Sequence, residues 1–208
     1  AGSDQVFGWF VYGVEILYSY LAKMRQGAEG RWLFYITYTA EPHMGTFIYP
    51  FYILLGKLAT LLPGGGLTTR IVWTYHGARW LFGLGLLLTA YRFLAAFTDQ
   101  VSVRRVAWAL IAFGGGLGWL VILLGGDNWL GSTPLDFILP EGFTFLVLYA
   151  LPHIALGRTL LLWGFLCLLR AWQGEEASLR FQALAGLCWL GMGLIVPFYV
   201  AVAWAVLG

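Results

Sequence analysis

The chain has 208 residues, of which 60% are hydrophobic and 11% charged, and its mean hydropathy is +0.77. Soluble domains carry about 25% charged residues, and a soluble core of this size cannot bury so much apolar surface. Composition therefore predicts an all-α integral membrane protein. The net charge of +2, without any Lys/Arg-rich run, excludes nucleic acid as a partner. Cys167 and Cys188 lie in apolar runs without metal-site spacing, which favours buried free thiols.

Near the N-terminus, residues 5–22 are apolar but contain Glu15. A charge in the middle of a span costs about 2.5–3.5 kcal/mol, so a membrane crossing is disfavoured there. From Glu15 onward the spacing indicates an amphipathic helix at the membrane interface, with one apolar face formed by Leu17, Leu21 and Met24.

Residues 44–62 are apolar for long enough to span a membrane. Pro50 in the middle and Lys57 near the end favour instead a helix that lies along, or dips into, the outer leaflet. Pro63 and three glycines end this segment.

Further along, residues 68–98 have the pattern of one long helix, with a polar first third and an apolar remainder. Residues 106–126 contain no charge, and the Gly114/Gly118 pair predicts close approach of another helix. Residues 181–208 form either one span and the start of another or one helix kinked at Pro197. The predicted membrane spans are 80–98, 106–124, 154–170 and 181–197, within a polytopic bundle of four to six spans.

The arginines predict the orientation of this bundle. Residues 99–105 and 170–180 each carry two arginines, whereas 125–142 carry no Lys or Arg. Because short cytoplasmic loops are enriched in Lys and Arg, the first two are predicted to be cytoplasmic and 125–142 to lie outside. Residues 1–62 then lie outside or cross twice as a hairpin. We expect one membrane domain, 1–208, in a partial chain, with outer-loop residues 1–70 ahead of a bundle formed by 71–208.

Several polar residues fall on the predicted outer side. Glu41 precedes a proline and is therefore in an extended or turn conformation. A carboxylate there is a candidate general base, although a solvated loop acid has the same pattern. We predict that Glu41, His43, Glu141 and His153 share one outward-facing cavity, near the other outer-side acids, Asp127 and Asp136.

Three arginines near the outer interface, Arg70, Arg79 and Arg158, are candidates for binding the phosphate of a lipid-linked substrate. Snorkelling to lipid head groups is the alternative. The histidines, His43, His76 and His153, lack metal-ligand spacing, and the sequence contains no DxD motif, so no metal is predicted.

The segments GVEIL (13–17) and EPHMGTFIYPFYILLGKL (41–58), followed by an arginine at the start of a long helix, resemble the first outer loop of the GT-C membrane glycosyltransferases. These include protein O-mannosyltransferases and lipid A aminoarabinose transferases. In this resemblance Glu15 matches the loop acid, Pro50 to Lys57 match the proline-to-Gly-Lys segment, and Arg70 matches the arginine that starts the next span. The segment 134–153, PLDFILPEGFTFLVLYALPH, is similar to bacterial membrane proteins of this general type.

The resemblance implies transfer of a sugar from a polyprenyl-phosphate donor, outside the cytoplasm of a bacterial inner membrane. Glu15 or Glu41 would be the base, and Arg70 with Arg158 would bind the phosphate. The sequence departs from the family, which usually has Asp-Glu or Asp-Asp where GVEIL has one Glu. The alternative is a non-catalytic accessory subunit of a photosynthetic or respiratory complex, which 11 Trp and 28 Gly would suit through close packing with other transmembrane subunits.

Overall fold

A computed structural model describes residues 8–9, 14–126, 131–174 and 178–208, so the predicted outer-loop acid Asp127 lies outside the described residues. The protein is 73% helical, and its described part contains no strand, which confirms the all-α class. The α-helices are α1 (Val14–Ala28), α2 (Pro50–Leu61), α3 (Leu67–Ala95), α4 (Val101–Phe113), α5 (Gly118–Leu123), α6 (Leu135–Ile138), α7 (Thr144–Ala150), α8 (Pro152–Trp172), α9 (Ser178–Ile195) and α10 (Phe198–Leu207). A short 3₁₀ helix covers Pro140–Gly142.

The first two helices, α1 and α2, pack directly against each other. Leu17 and Met24 are fully buried on the predicted apolar face of α1. A Cβ at Gly27 would lie 2.1 Å from the Ile53 carbonyl oxygen, and one at Gly56 would lie 1.8 Å from the Met24 carbonyl oxygen. The two backbones are therefore in contact, which only glycine permits.

Helix α2 begins with Pro50 at its first position, where a missing N–H costs nothing. It has 12 residues, which corresponds to about 18 Å of length. A bilayer core is about 30 Å thick, so this helix by itself is too short to cross. The placement of 44–62 along the membrane stays a prediction.

The long helix predicted for 68–98 is confirmed as α3, with 29 residues. Helix α8 packs between α3 and α9. Among the described helices, α8 (Pro152–Trp172) alone has both the length and the apolar composition needed to cross a membrane. The core lies where α1, α2, α3, α7 and α8 meet, and Tyr52, Tyr75 and Val147 are almost completely buried in it.

The uninterrupted helix predicted for 106–124 is wrong. Helix α4 ends at Phe113, and α5 starts only at Gly118. Three consecutive glycines separate them, and Gly116 has a φ of +83° that a helix cannot contain. Glycine costs about 1 kcal/mol relative to alanine in a helix, and the Asp136 side chain accepts a hydrogen bond from the freed Gly118 N–H at 3.0 Å.

The predicted helix-packing role of Gly114 and Gly118 is wrong for the same reason, because these residues flank a turn and do not share a helix face. The Gly114 carbonyl instead accepts a hydrogen bond from the Phe145 N–H. At the C-terminal end, 181–208 form two helices on either side of Pro197, α9 and α10.

Candidate functional site

Lys23 occupies the centre of a polar and aromatic cluster between α1 and α2. Its side chain is buried, with 8% exposed. The Nζ atom donates a hydrogen bond to Ser19 Oγ at 2.7 Å, one helical turn earlier. It also lies 4.9 Å from the ring centroid of Tyr20, 5.9 Å from that of Phe34 and 4.3 Å from that of Tyr49. We call Ser19, Tyr20, Lys23, Tyr49, Tyr52 and His153 the Lys23 cluster.

The second half of the cluster joins the outer-loop region to the start of α8. Tyr20 stacks on Tyr52 with ring centroids 4.4 Å apart, and its ring meets His153 edge-on at 5.0 Å. The Tyr52 hydroxyl and His153 Nδ1 share a hydrogen bond of 2.6 Å across 101 residues of sequence. Tyr75 lies behind Tyr52 and donates its hydroxyl to the Ala150 carbonyl at 2.6 Å. The cluster therefore connects α1, α2, α3 and α8.

The electrostatics of the cluster follow from its burial. Burial lowers the pKa of Lys23, because the apolar surroundings disfavour the ammonium form. Burial also raises the pKa of Tyr20 to about 12, with the negative charge of Glu141 as the next cause. Among the described residues the single ion pair is Arg25 with Glu29, so no described carboxylate pairs with Lys23.

The loop between α1 and α2 folds over this cluster. Phe34 and Thr46 exchange two backbone hydrogen bonds of 2.9 Å. The Gln26 side chain bonds both the N–H and the carbonyl of Tyr35, which fixes the loop to α1. At the far end of the loop, Tyr49 precedes α2 with a left-handed backbone conformation (φ 56°, ψ 37°) that non-glycine residues rarely adopt.

The predicted acids lie in different surroundings. Glu15 is exposed in the first turn of α1, and Glu41 is exposed in the loop. Asp136 is buried, with 6% exposed, where it stabilises the turn before α5. Glu141 is half-buried in the 3₁₀ helix before α7. Of these, Glu15 lies on the same ridge of α1 as Ser19 and Lys23, because residues four apart are neighbours on a helix.

The predicted histidines are also separated by their contacts. His43 accepts a hydrogen bond from the Ile36 N–H at Nε2, so its Nδ1 donates to the Glu41 carbonyl. His153 contacts Tyr20, Phe51 and Tyr52. His76 is buried and bonds the Gly8 carbonyl through Nε2. The shared cavity for Glu41, His43, Glu141 and His153 stays a prediction.

The three predicted phosphate-binding arginines line three different cavities, of about 360 Å³ at Arg70, 440 Å³ at Arg79 and 460 Å³ at Arg158. Arg70 donates to the last carbonyls around the end of α2, those of Thr60 and Leu62. Arg79 donates to the Tyr149 carbonyl.

Arg158 makes three contacts. It donates to the Glu141 carbonyl, to Thr144 Oγ1 at 3.1 Å and to the Tyr199 hydroxyl at 2.9 Å. These contacts fix the turn before α7 against α8 and α10. Each of the three arginines thus uses part of its donor capacity on protein oxygens, and their phosphate role stays a prediction.

Lys23 is the residue that sequence reasoning missed. In the sequence it looks like one of two basic residues at the end of an interfacial helix, next to Arg25. A usable signal was the i, i+4 spacing of Ser19 and Lys23 beside Tyr20, which places a hydroxyl and an aromatic ring within reach of the ammonium. The long-range contact of Lys23 with Tyr49 had no local signal.

Within the described part of the chain, no three His, Cys, Asp or Glu side chains are grouped as a metal site requires. A cavity of about 480 Å³ is lined mainly by aromatic side chains, with Asp136 in its wall. No protein-family model, curated protein or solved structure matches the chain.

Proposed function

We propose that the protein is a polytopic membrane transferase that moves a sugar from a polyprenyl-phosphate donor to an acceptor hydroxyl. The observation that carries this proposal is the Lys23 cluster, in which the outer-loop helices α1 and α2 contact the start of α8 through Tyr52 and His153. These regions are predicted to lie on the same side of the membrane. Their contact supports an enclosed polar site at one end of an apolar helical assembly.

The surface of the protein supports placement in lipid. Large apolar side chains are exposed along α3 and α9, including Trp80 (73%), Leu84 (58%), Leu187 (64%) and Leu190 (62%). Water-soluble monomers rarely expose apolar patches of this extent. We propose that 80–98, 106–124, 154–170 and 181–197 lie in a bacterial inner membrane, with 106–124 entering it as two helices.

The chemistry is one displacement at the anomeric carbon. The acceptor oxygen forms a bond to that carbon while a base takes its proton, and the bond to the phosphate oxygen breaks with its electron pair left on the phosphate. Of the two candidate bases, Glu15 is favoured over Glu41, because it shares the α1 ridge of Ser19 and Lys23. A cation beside the leaving phosphate would stabilise the charge that develops there.

An accessory subunit is the second candidate. Its support is that both Glu15 and Glu41 are exposed and that the described contacts of Glu41 lie within its own loop. A chain without catalytic work would tolerate the loss of either carboxylate.

A transfer assay distinguishes a transferase from an accessory subunit. Purified protein in proteoliposomes is given a polyprenyl-phosphate hexose labelled in the sugar, with membrane extract as the source of acceptor. We expect Glu15→Gln to reduce transfer at least 100-fold, in line with the usual contribution of a general base, and Glu29→Gln, one residue beyond the end of the same helix, to leave it unchanged. If neither Glu15→Gln nor Glu41→Gln alters transfer, or if no transfer occurs, the transferase proposal is wrong.

A further inference from the structure

We propose that the Lys23 ammonium is the binding group for the phosphate of a lipid ligand, with Ser19 as a second ligand and Tyr49 as a movable cap. This inference rests on the proposed function for the identity of the lipid. It assigns the phosphate to a residue other than the three arginines predicted from sequence.

The charge on Lys23 is unusual because nothing described neutralises it. An ammonium has three N–H donors, and the structure gives Nζ one described hydrogen-bond acceptor, Ser19 Oγ. Aromatic faces attract a cation, but they do not replace hydrogen bonds. Burying a cation without an anion is unfavourable, so a bound anion would relieve a penalty that the free protein retains.

The other lysine of the chain serves as a comparison. Lys57 also lies over an aromatic ring, that of Trp32 at 4.1 Å. Its Nζ donates to the Gly30 carbonyl at the surface of the protein, where water reaches it. The burial of Lys23 is therefore specific to its position.

Tyr49 is placed to control access. Its ring centroid is 4.3 Å from Lys23 Nζ, yet its side chain is 43% exposed. Its backbone conformation, with φ 56°, is strained for a residue with a side chain. A strained and partly exposed ring can leave Nζ without opening the core, and strain of this kind is common at ligand clamps.

The surroundings indicate an anion that carries a hydrocarbon chain. The loop that folds over the cluster exposes Met44 (88%), Phe47 (60%) and Ile48 (41%), and α1 exposes Ile16 (45%) beside Ser19. A phosphate on a prenyl chain presents negative charge to Lys23 and apolar surface to these side chains. A free phosphate would use the first feature alone.

Binding can be measured without any sugar transfer. The wild-type protein in neutral phosphatidylcholine nanodiscs is titrated with farnesyl phosphate and followed by tryptophan fluorescence. We expect saturable binding that weakens at least tenfold in Lys23→Gln and is unchanged in Arg25→Gln, which removes an exposed charge from the same helix. Tyr49→Ala should speed association.

A second measurement needs no variant, because Lys23 and Lys57 are the two lysines of the chain. Farnesyl phosphate should protect Lys23, and not Lys57, from an amine-acylating reagent, as read by peptide mass spectrometry. Equal protection of both lysines, or unchanged affinity in Lys23→Gln, would overturn the assignment.

Two further ligands test which part of farnesyl phosphate the site recognises. Farnesol tests the hydrocarbon alone, and inorganic phosphate tests the anion alone. We expect both to bind at least tenfold more weakly than farnesyl phosphate. If farnesol binds as tightly as farnesyl phosphate, the site is apolar and Lys23 is not its binding group. If inorganic phosphate binds as tightly as farnesyl phosphate, the proposal that the ligand carries a hydrocarbon chain is wrong. Farnesyl phosphate carries no sugar, so its binding does not depend on transfer. If the protein binds farnesyl phosphate but transfers no sugar, the transferase proposal is wrong and the lipid-phosphate site at Lys23 still holds.

Discussion

Tyr52 is the side chain that joins the two halves of the Lys23 cluster. It is 1% exposed, stacks on Tyr20, and its hydroxyl shares a 2.6 Å hydrogen bond with His153. Because a buried hydrogen-bonding group without a partner costs about 1–3 kcal/mol, this one contact contributes to stability as well as to the shape of the site.

We predict that Tyr52→Phe lowers the free energy of unfolding by about 1–2 kcal/mol, because the His153 ring nitrogen loses its hydroxyl partner. Thermal unfolding in detergent would measure the effect. Tyr38→Phe is the control, since Tyr38 is 87% exposed. Equal melting temperatures for the two variants would mean that the Tyr52–His153 contact is absent from the folded protein.

The same residues show where sequence reasoning stops. His153 and Glu141 could be predicted as outer-side polar groups, because the arginine pattern places 125–142 outside. The contact of His153 with Tyr20 could not be predicted, because it depends on how α1 and α2 pack on the start of α8. The surroundings of the arginines could not be predicted either: a sequence gives the charge of Arg158 but not the Glu141, Thr144 and Tyr199 oxygens around it.

Among the helices, the α1–α2 pair depends most on single residues. Gly27 and Gly56 permit backbone contact, and this contact sets the distance from Lys23 on α1 to Tyr52 on α2 and to Tyr49 just before it. The sequence predicts α1 from its periodicity and α2 from the apolar length of 44–62. It does not predict their contact, because a glycine in a helix has the same local pattern whether it packs or not.

We predict that Gly56→Ala destabilises the protein by about 3 kcal/mol, at the upper end of overpacking costs, because its Cβ would lie 1.8 Å from the Met24 carbonyl oxygen. Gly85→Ala is the matched control. Gly85 lies inside α3 with nothing within 4 Å of a Cβ, so this change should be neutral or slightly stabilising. Unfolding curves that rank the two variants in the opposite order would contradict the packing of α1 on α2.

The turn between α4 and α5 determines how a substitution of Gly118 is interpreted. A Cβ at Gly118 would lie 2.2 Å from Asp136 Oδ1, so enlarging Gly118 disturbs this turn whether or not the protein has partner subunits. A loss of stability in Gly118→Ala therefore does not favour an accessory subunit. The spacing of Gly114 and Gly118 is typical of a helix-packing face, but it carries no information on Asp136, which lies 18 residues beyond Gly118 and bonds its N–H.

For the molecule as a whole, the sequence predicted the class and the long helices, because both follow from apolar length. The membrane orientation rests on Arg104, Arg105, Arg170 and Arg180 and stays a prediction. We expect Ser132→Cys, in a background without Cys167 and Cys188, to react with a membrane-impermeant maleimide on intact cells. Ser102→Cys should react only after permeabilisation. The reverse pattern would invert the topology and place the Lys23 cluster on the cytoplasmic side.

The most direct measurement is the release of polyprenyl phosphate from a polyprenyl-phosphate hexose, followed by mass spectrometry in proteoliposomes that contain an acceptor extract. We predict release by the wild-type protein and by Arg25→Gln, and a loss of at least 100-fold in Glu15→Gln and tenfold in Lys23→Gln. Release that is equal in all four proteins, or absent from the wild type, would contradict a transferase site between α1, α2 and α8.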